Sequence, residues 1–134
     1  MFGAKIVLRY RDGRVSKGFS PDFSSNRSLF HLIPHDSTDS QQRIPVLQSE
    51  LKAVFFVKDF QGNPSYNEVK EFNEARSGAG QKVRVHFKDG EILVGTTQVY
   101  DLNRAGFFLI PVDPESNNNG CFVIIAATKE IIFL

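Results

Sequence analysis

Along residues 5–11, Ile6, Leu8 and Tyr10 alternate with Lys5, Val7, Arg9 and Arg11; along 82–88, Val83, Val85 and Phe87 alternate with Lys82, Arg84, His86 and Lys88. A period of two predicts a strand in each place. Both runs stop at Asp-Gly, at 12–13 and 89–90. That dipeptide marks a two-residue type I′ hairpin, whose central residues both need positive φ. Such a turn pairs Arg11 with Arg14 and Lys88 with Glu91. It then sets Tyr10 beside Val15, Leu8 beside Lys17, Phe87 beside Ile92 and Val85 beside Val94 on one apolar face. Lys17 alone interrupts that face, and its stem can lie along it. Gly18 and Gly95 close the second strands at matching places, as a bulge or sharp bend would when it curls a small sheet into a barrel. Aromatic strands follow at 29–33 and 106–110, ended by Pro34 and Pro111, then polar loops, fourth strands at 44–47 and 121–126, and fifth strands at 53–57 and 130–134.

The two series are one unit written twice. Shifting the chain by 77 positions lays 5–57 on 82–134 without a gap, with fourteen identities in fifty-three positions, among them Asp12/Asp89, Gly13/Gly90, Gly18/Gly95, Asn26/Asn103, Arg27/Arg104, Phe30/Phe107, Pro34/Pro111 and Lys52/Lys129. Unrelated sequences of ordinary composition would share about three or four. A repeat of this length means a copied folding unit. The division is therefore a first copy at 1–57, a connector at 58–81 and a second copy at 82–134. A copy near fifty-three residues buries only about 60% of its unfolded surface, so the two should lean on each other. In the connector, Ser65 and Glu68 fit a capping box, Tyr66, Val69 and Phe72 fall on one helical side and Gly78 is a stop; there is room for one short helix of about ten residues or for an extended crossover.

Composition narrows the function classes. With 41% hydrophobic residues, thirteen Phe and no Trp, the chain has the material for an aromatic core. Sixteen basic and fifteen acidic residues leave a net charge of +1, so no global field draws it to nucleic acid or anionic membrane. Cys121, the single cysteine, sits in an apolar run and fits a buried thiol better than a nucleophile. His31, His35 and His86 are scattered, and with one cysteine they give no ligand spacing, so no metal is expected. No phosphate-cradling glycine loop occurs. No acid, base and nucleophile converge, so neither an enzyme nor a cofactor is expected. The absence of a signal peptide and of an apolar run of membrane-spanning length makes a reducing cytoplasm the expected compartment, with no membrane partner.

Two resemblances organise these readings. The second copy reads VRVHFKDGEILVG at 83–95 and YDLNRAGFFLIPVD at 100–113, which resembles the first motif of the Sm-like fold, a bent five-stranded barrel related to SH3-like barrels. In that family the loop supplies an aspartate and an asparagine to a base-binding pocket, which by position implies Asp101 and Asn103. The family's second motif, a hydrophobic strand followed by Arg-Gly, is absent: 124–128 reads IIAAT and 47–51 reads LQSEL. Over the whole chain, LKAVFFVKDFQGNP at 51–64 and NRAGFFLIPVDPESNNN at 103–119 resemble an uncharacterised bacterial domain family of two tandem Sm-like repeats with no assigned activity. The resemblances imply an all-β protein of two tandem small five-stranded Sm-like or SH3-like barrels. A single body with strands exchanged between copies is the alternative.

Two functions follow as expectations. The first is a non-enzymatic binding or adaptor module in bacterial regulation, meeting a protein partner or a second copy through strand edges and loops. The alternative is single-stranded RNA binding. Arg9 and Arg11 in one copy, and Arg84 and Lys88 in the other, put cations on the first hairpins. Asn26-Arg27 and Asn103-Arg104 recur in matching loops, near Phe23, Tyr100 and Asp101, as polar readout and stacking groups. The plainer reading of the same residues is a solvated strand face and loops held by local hydrogen bonds.

Overall fold

The computed structural model describes residues 4–37, 42–62, 65–66, 80–98, 101, 103–113 and 115–134. The helix considered for the connector lies outside them apart from Ser65 and Tyr66, and so does Tyr100. The described chain is all-β: β1 (Lys5–Tyr10), β2 (Val15–Phe19), β3 (Leu29–Pro34), β4 (Ile44–Leu47), β5 (Leu51–Val57), β6 (Gln81–Phe87), β7 (Ile92–Thr97), β8 (Gly106–Pro111), β9 (Asn118–Ile124) and β10 (Thr128–Phe133). Short 3-10 turns at Gln48–Glu50 and Ile125–Ala127 link the last two strands of each copy. Among the described residues no helix is long and apolar enough to cross a membrane.

All ten strands form one open antiparallel sheet, ordered β10-β6-β7-β8-β9-β5-β1-β2-β3-β4. Each copy keeps the same internal order, with its fifth strand beside its first and its fourth strand at the far side. Among the described residues no strand is exchanged. The copies meet where β9 pairs with β5, Val54 opposite Phe122 and Phe55 opposite Cys121.

The first hairpin of each copy differs from the expected type I′ turn. The Tyr10 N–H donates to the Arg14 carbonyl at 2.9 Å and the Gly13 N–H to the Tyr10 carbonyl at 3.1 Å; Gly13 has φ +98° and Gly90 φ +96°, while no described non-glycine residue is positive. The loop therefore has three residues with glycine alone in the left-handed region, because a two-residue turn would force Asp12 there as well. One extra loop residue moves the register by one. Leu8 faces Ser16 and Arg9 faces Val15; Val85 faces Leu93 and His86 faces Ile92. Val15 is thus exposed, and Lys17 leaves the face of Leu8 to sit opposite Val7, donating to the Phe60 carbonyl at 2.7 Å.

Gly18 and Gly95 sit where the next strand crosses closely. A Cβ on Gly18 would lie 2.1 Å from the Ile33 carbonyl oxygen, and on Gly95 2.0 Å from that of Ile110. Only glycine lets β2 and β7 bend this far over β3 and β8. The fifth strands bend by a second device. The register shifts between Arg9 and Tyr10 in β1–β5, leaving Lys52 as the extra residue, and between Thr128 and Glu130 in β10–β6, leaving Lys129. The bulge lets Leu51 and Val54, three positions apart, join the same core.

Two apolar clusters result, each crossing the boundary between copies. The first holds Ile6, Leu8, Tyr10, Phe30, Leu32, Val46, Leu51 and Val54 of copy one, with Phe122 and Ile124 of copy two. The second holds Val83, Val85, Phe87, Leu93, Phe107, Leu109, Cys121 and Val123 of copy two, with Val7, Ala53 and Phe55 of copy one. Strand alternation sends neighbouring side chains of β5 and β9 to opposite clusters. Each copy thereby completes the other's core, as their small size requires.

Candidate functional site

Beside the apolar contact, the junction carries an ionic latch. Lys52 is buried, its side chain 9% exposed. Its ammonium lies 2.7 Å from the Asp89 carboxylate, is paired with Glu91, and sits 4.7 Å from the centroid of the Phe87 ring. The β5 bulge delivers this amine into the hairpin turn of the other copy. The hydrogen bond from Lys52, followed by one from the Glu91 N–H, holds the Asp89 carboxyl below its ordinary value. A group with a depressed folded pKa stabilises the native state above its unfolded pKa of about 3.9 and loses that contribution as pH falls through the lower, folded value. The denaturation midpoint should therefore drop in acid below about pH 4, and Asp89→Asn should flatten the drop. Asp89→Asn combined with Glu91→Gln leaves a buried ammonium without counter-charge and should cost about 3 kcal/mol in urea titration at neutral pH. Lys52→Met removes the charge together with its need for partners and should cost less.

A cleft of about 390 Å³ opens beside the junction, lined by Ser25 of copy one and by Thr96, Gln98, Asp101, Arg104, Phe108 and Phe122 among others of copy two. Phe107 and Leu109 of β8 point into the core, so alternation turns Phe108 and Ile110 outward, 46% and 56% exposed. The Phe108 ring leans on Phe122 at 5.0 Å, and Phe122 meets Phe23 at 5.8 Å, so an aromatic row runs from the first core to the cleft. Asp101 at the rim closes its own loop. It accepts from the Asn103 N–H at 2.9 Å, its carbonyl accepts from the Arg104 N–H at 3.0 Å, and its carboxylate lies 4.0 Å from the Arg104 guanidinium.

The matching loop of copy one is built the same way. Ser24 replaces Asp101, accepting from the Asn26 N–H at 3.3 Å through its hydroxyl and from the Arg27 N–H at 3.1 Å through its carbonyl. The Arg27 side chain donates to the Leu29 carbonyl at 3.3 Å and lies 3.7 Å from Asp22. Burial raises the Asp22 pKa, but hydrogen bonds from the His31 ring and N–H outweigh it and leave the carboxyl below its ordinary value. Where copy two exposes Phe108, copy one therefore has a polar His31–Asp22 pair, 2.8 Å apart.

The cations of the first hairpins separate. Arg11 and Lys88 come together with Lys52 and Asp89 around a second cavity of about 240 Å³. Arg9 lies over the Phe55 ring at 5.8 Å. Arg84 is on the far flank, opposite Ile132 of β10. Among the described residues no group of three metal-ligating side chains comes together. Sequence reasoning passed over Phe108 and Lys52. Strict alternation in 106–110 marks Phe108 as outward, whereas Lys52 could be found only through its bulge.

The two ends of the sheet, β4 and β10, differ in character. At the β4 end, Leu29 of β3 and Ile44 and Leu47 of β4 are exposed at 41%, 38% and 47%. Position by position, Leu47 corresponds to Ile124 and Pro45 to Phe122, the residues that β9 sinks into the first core. β4 is thus the counterpart of a docked strand, with apolar side chains in place, β3 on one edge and, among the described residues, no strand on the other.

Comparison with known families gives the chain its place: it belongs to a family of unknown function (DUF6982), whose model matches residues 4–134. Neither a curated protein nor a solved structure matches it.

Proposed function

We propose that this family member is a non-enzymatic binding module that takes an extended strand of a protein partner along β4. The carrying observation is the junction itself. The same fourth strand, in the second copy, already binds a fifth strand edge to edge and buries Phe122 and Ile124 in doing so. Main-chain pairing supplies affinity and alternate side chains supply choice in this mode of recognition. We also read each copy as a small Sm-like barrel unit; the repeated strand order and the glycine bends of β2 and β7 support that reading.

The test is a peptide with the sequence LKAVFFVK, copied from β5, titrated against labelled protein. Amide shifts confined to β3 and β4, abolished by Leu47→Asp, are expected. Shifts elsewhere, or none at millimolar peptide, would overturn the reading.

A second reading rests on the cleft, where an exposed phenyl ring stands beside Asp101 and Arg104. Such a platform suits a base of single-stranded RNA, with stacking on Phe108 worth about 1–3 kcal/mol. Binding of an oligouridylate that falls with salt and weakens in Phe108→Ala and Arg104→Ala supports it. No binding at low salt removes it.

A further inference from the structure

The junction serves as a template for what the open ends can accept. On the acceptor side, β9 offers Phe122 and Ile124; on the donor side, copy one offers Val7, Ala53 and Phe55. If a second chain docked head to tail, the acceptor would be β4 and the donor would be the outer flank of β6 and β10. The donor positions equivalent to Val7, Ala53 and Phe55 are Arg84, Glu130 and Ile132.

We infer that β4 accepts an apolar strand from a different protein and excludes a second copy of this chain. This rests on the reading of β4 as a docking edge. Ala53 is fully buried in the junction, so its counterpart Glu130 would carry a carboxylate into the neighbour's core, with the Arg84 guanidinium on the same face. Taking both charges out of water costs as much as or more than their mutual attraction returns, which opposes association. A second feature points the same way. Lys52 reaches Asp89 and Glu91 across the junction, whereas Lys129, its counterpart, would arrive at their counterparts Asp12 and Arg14, so that a cation stands where the junction has its second carboxylate. Arg14 is already paired with Asp12 at 2.8 Å and lies 3.6 Å from Glu50.

The acceptor edge is trimmed as well. The Gln48 N–H donates to the Ser28 carbonyl at 2.8 Å, so ladder alternation turns the backbone of Val46 and Ile44 toward β3 and that of Leu47 and Pro45 outward. Pro45 has no N–H to give where Phe122 has one. A visiting strand therefore pairs its main chain with Leu47 and the Pro45 carbonyl, and packs its side chains over Ile44 on one face and over Leu29 and Leu47 on the other. The occupant that fits presents a small residue and then an aromatic one on its inward face, as Ala53 and Phe55 do in β5, without a charge between them. Exposed apolar residues on an edge that rejects its own kind mark a heterologous partner.

The experiment is a solution mass measured by sedimentation across a wide concentration range. Wild type is expected at its 15.1 kDa monomer mass. The triple variant Arg84→Val, Glu130→Ala and Ile132→Phe recreates the donor trio and should form concentration-dependent head-to-tail oligomers; adding Leu47→Asp should return it to monomer. If the triple variant loses its fold, Glu130→Ala alone is read the same way, with weaker association expected, since Glu130 is exposed. Wild type that associates through β4, and dissociates on Leu47→Asp, overturns the exclusion of self while leaving the docking edge standing. A folded donor variant that stays monomeric overturns both.

Discussion

Phe122→Ala should lower the stability of the chain by about 4 kcal/mol, the range for a fully buried Phe reduced to Ala, and most of the loss should fall on the half to which Phe122 does not belong in sequence. Its side chain is 1% exposed and lies among Ile6, Leu8, Phe30 and Val54 of the first copy. Removing the ring opens a cavity in that core and breaks the aromatic row between Phe23 and Phe108. Hydrogen exchange is the measurement. Amides of β1, β2 and β3 should lose more protection than those of β6 and β7. Phe108→Ala, on the exposed neighbour, should change stability by less than about 1 kcal/mol. Equal loss across both halves would mean that the two clusters do not divide the core as the contacts indicate.

Period-two alternation, paired glycines and prolines locate strands in both copies because each marks a backbone need that does not depend on the rest of the chain. The hairpin register did not follow from the Asp-Gly dipeptide, since two-residue and three-residue loops share it. The outcome turned on whether Asp12 takes positive φ, and the three-residue loop spares it that strain. The junction was legible only in part. That two small copies must share a core follows from their size, but the meeting of β5 and β9 depends on long-range packing. Val7 falls in the alternation with Lys5, Arg9 and Arg11, on the face away from Leu8; it is a junction residue. Arg27 is tied to its own loop, its side chain donating to the Leu29 carbonyl, whereas Arg104 gives its loop the backbone N–H and keeps its guanidinium 4.0 Å from Asp101. The recurrence of Lys52 and Lys129 reflects a bulge, while only Lys52 meets carboxylates of the other copy.

Ala53→Glu should be the most damaging single substitution in the junction, and it tests the same physics that closes the outer flank. The substitution writes into β5 what β10 already carries at the equivalent position, Glu130. At position 130 the carboxylate stands in water; at 53 it would lie beside Val83, Val85 and Phe87, with Arg9 across the ladder as its neighbouring cation. Desolvating a carboxylate costs several kcal/mol even after relaxation, and an ion pair at the edge of the core returns only part of that. A domain of this size holds only about 5–15 kcal/mol in all. The variant should therefore part the β5–β9 ladder or unfold, seen as a lower urea midpoint, binding of an apolar dye and rapid exchange of amides in β5 and β9. The reciprocal Glu130→Ala should leave the stability of a single chain within about 0.5 kcal/mol of wild type. If Ala53→Glu kept wild-type stability and its β5–β9 protection, a charge on this face would be no barrier to strand docking, and the charged flank of β6 and β10 could not be what keeps copies apart.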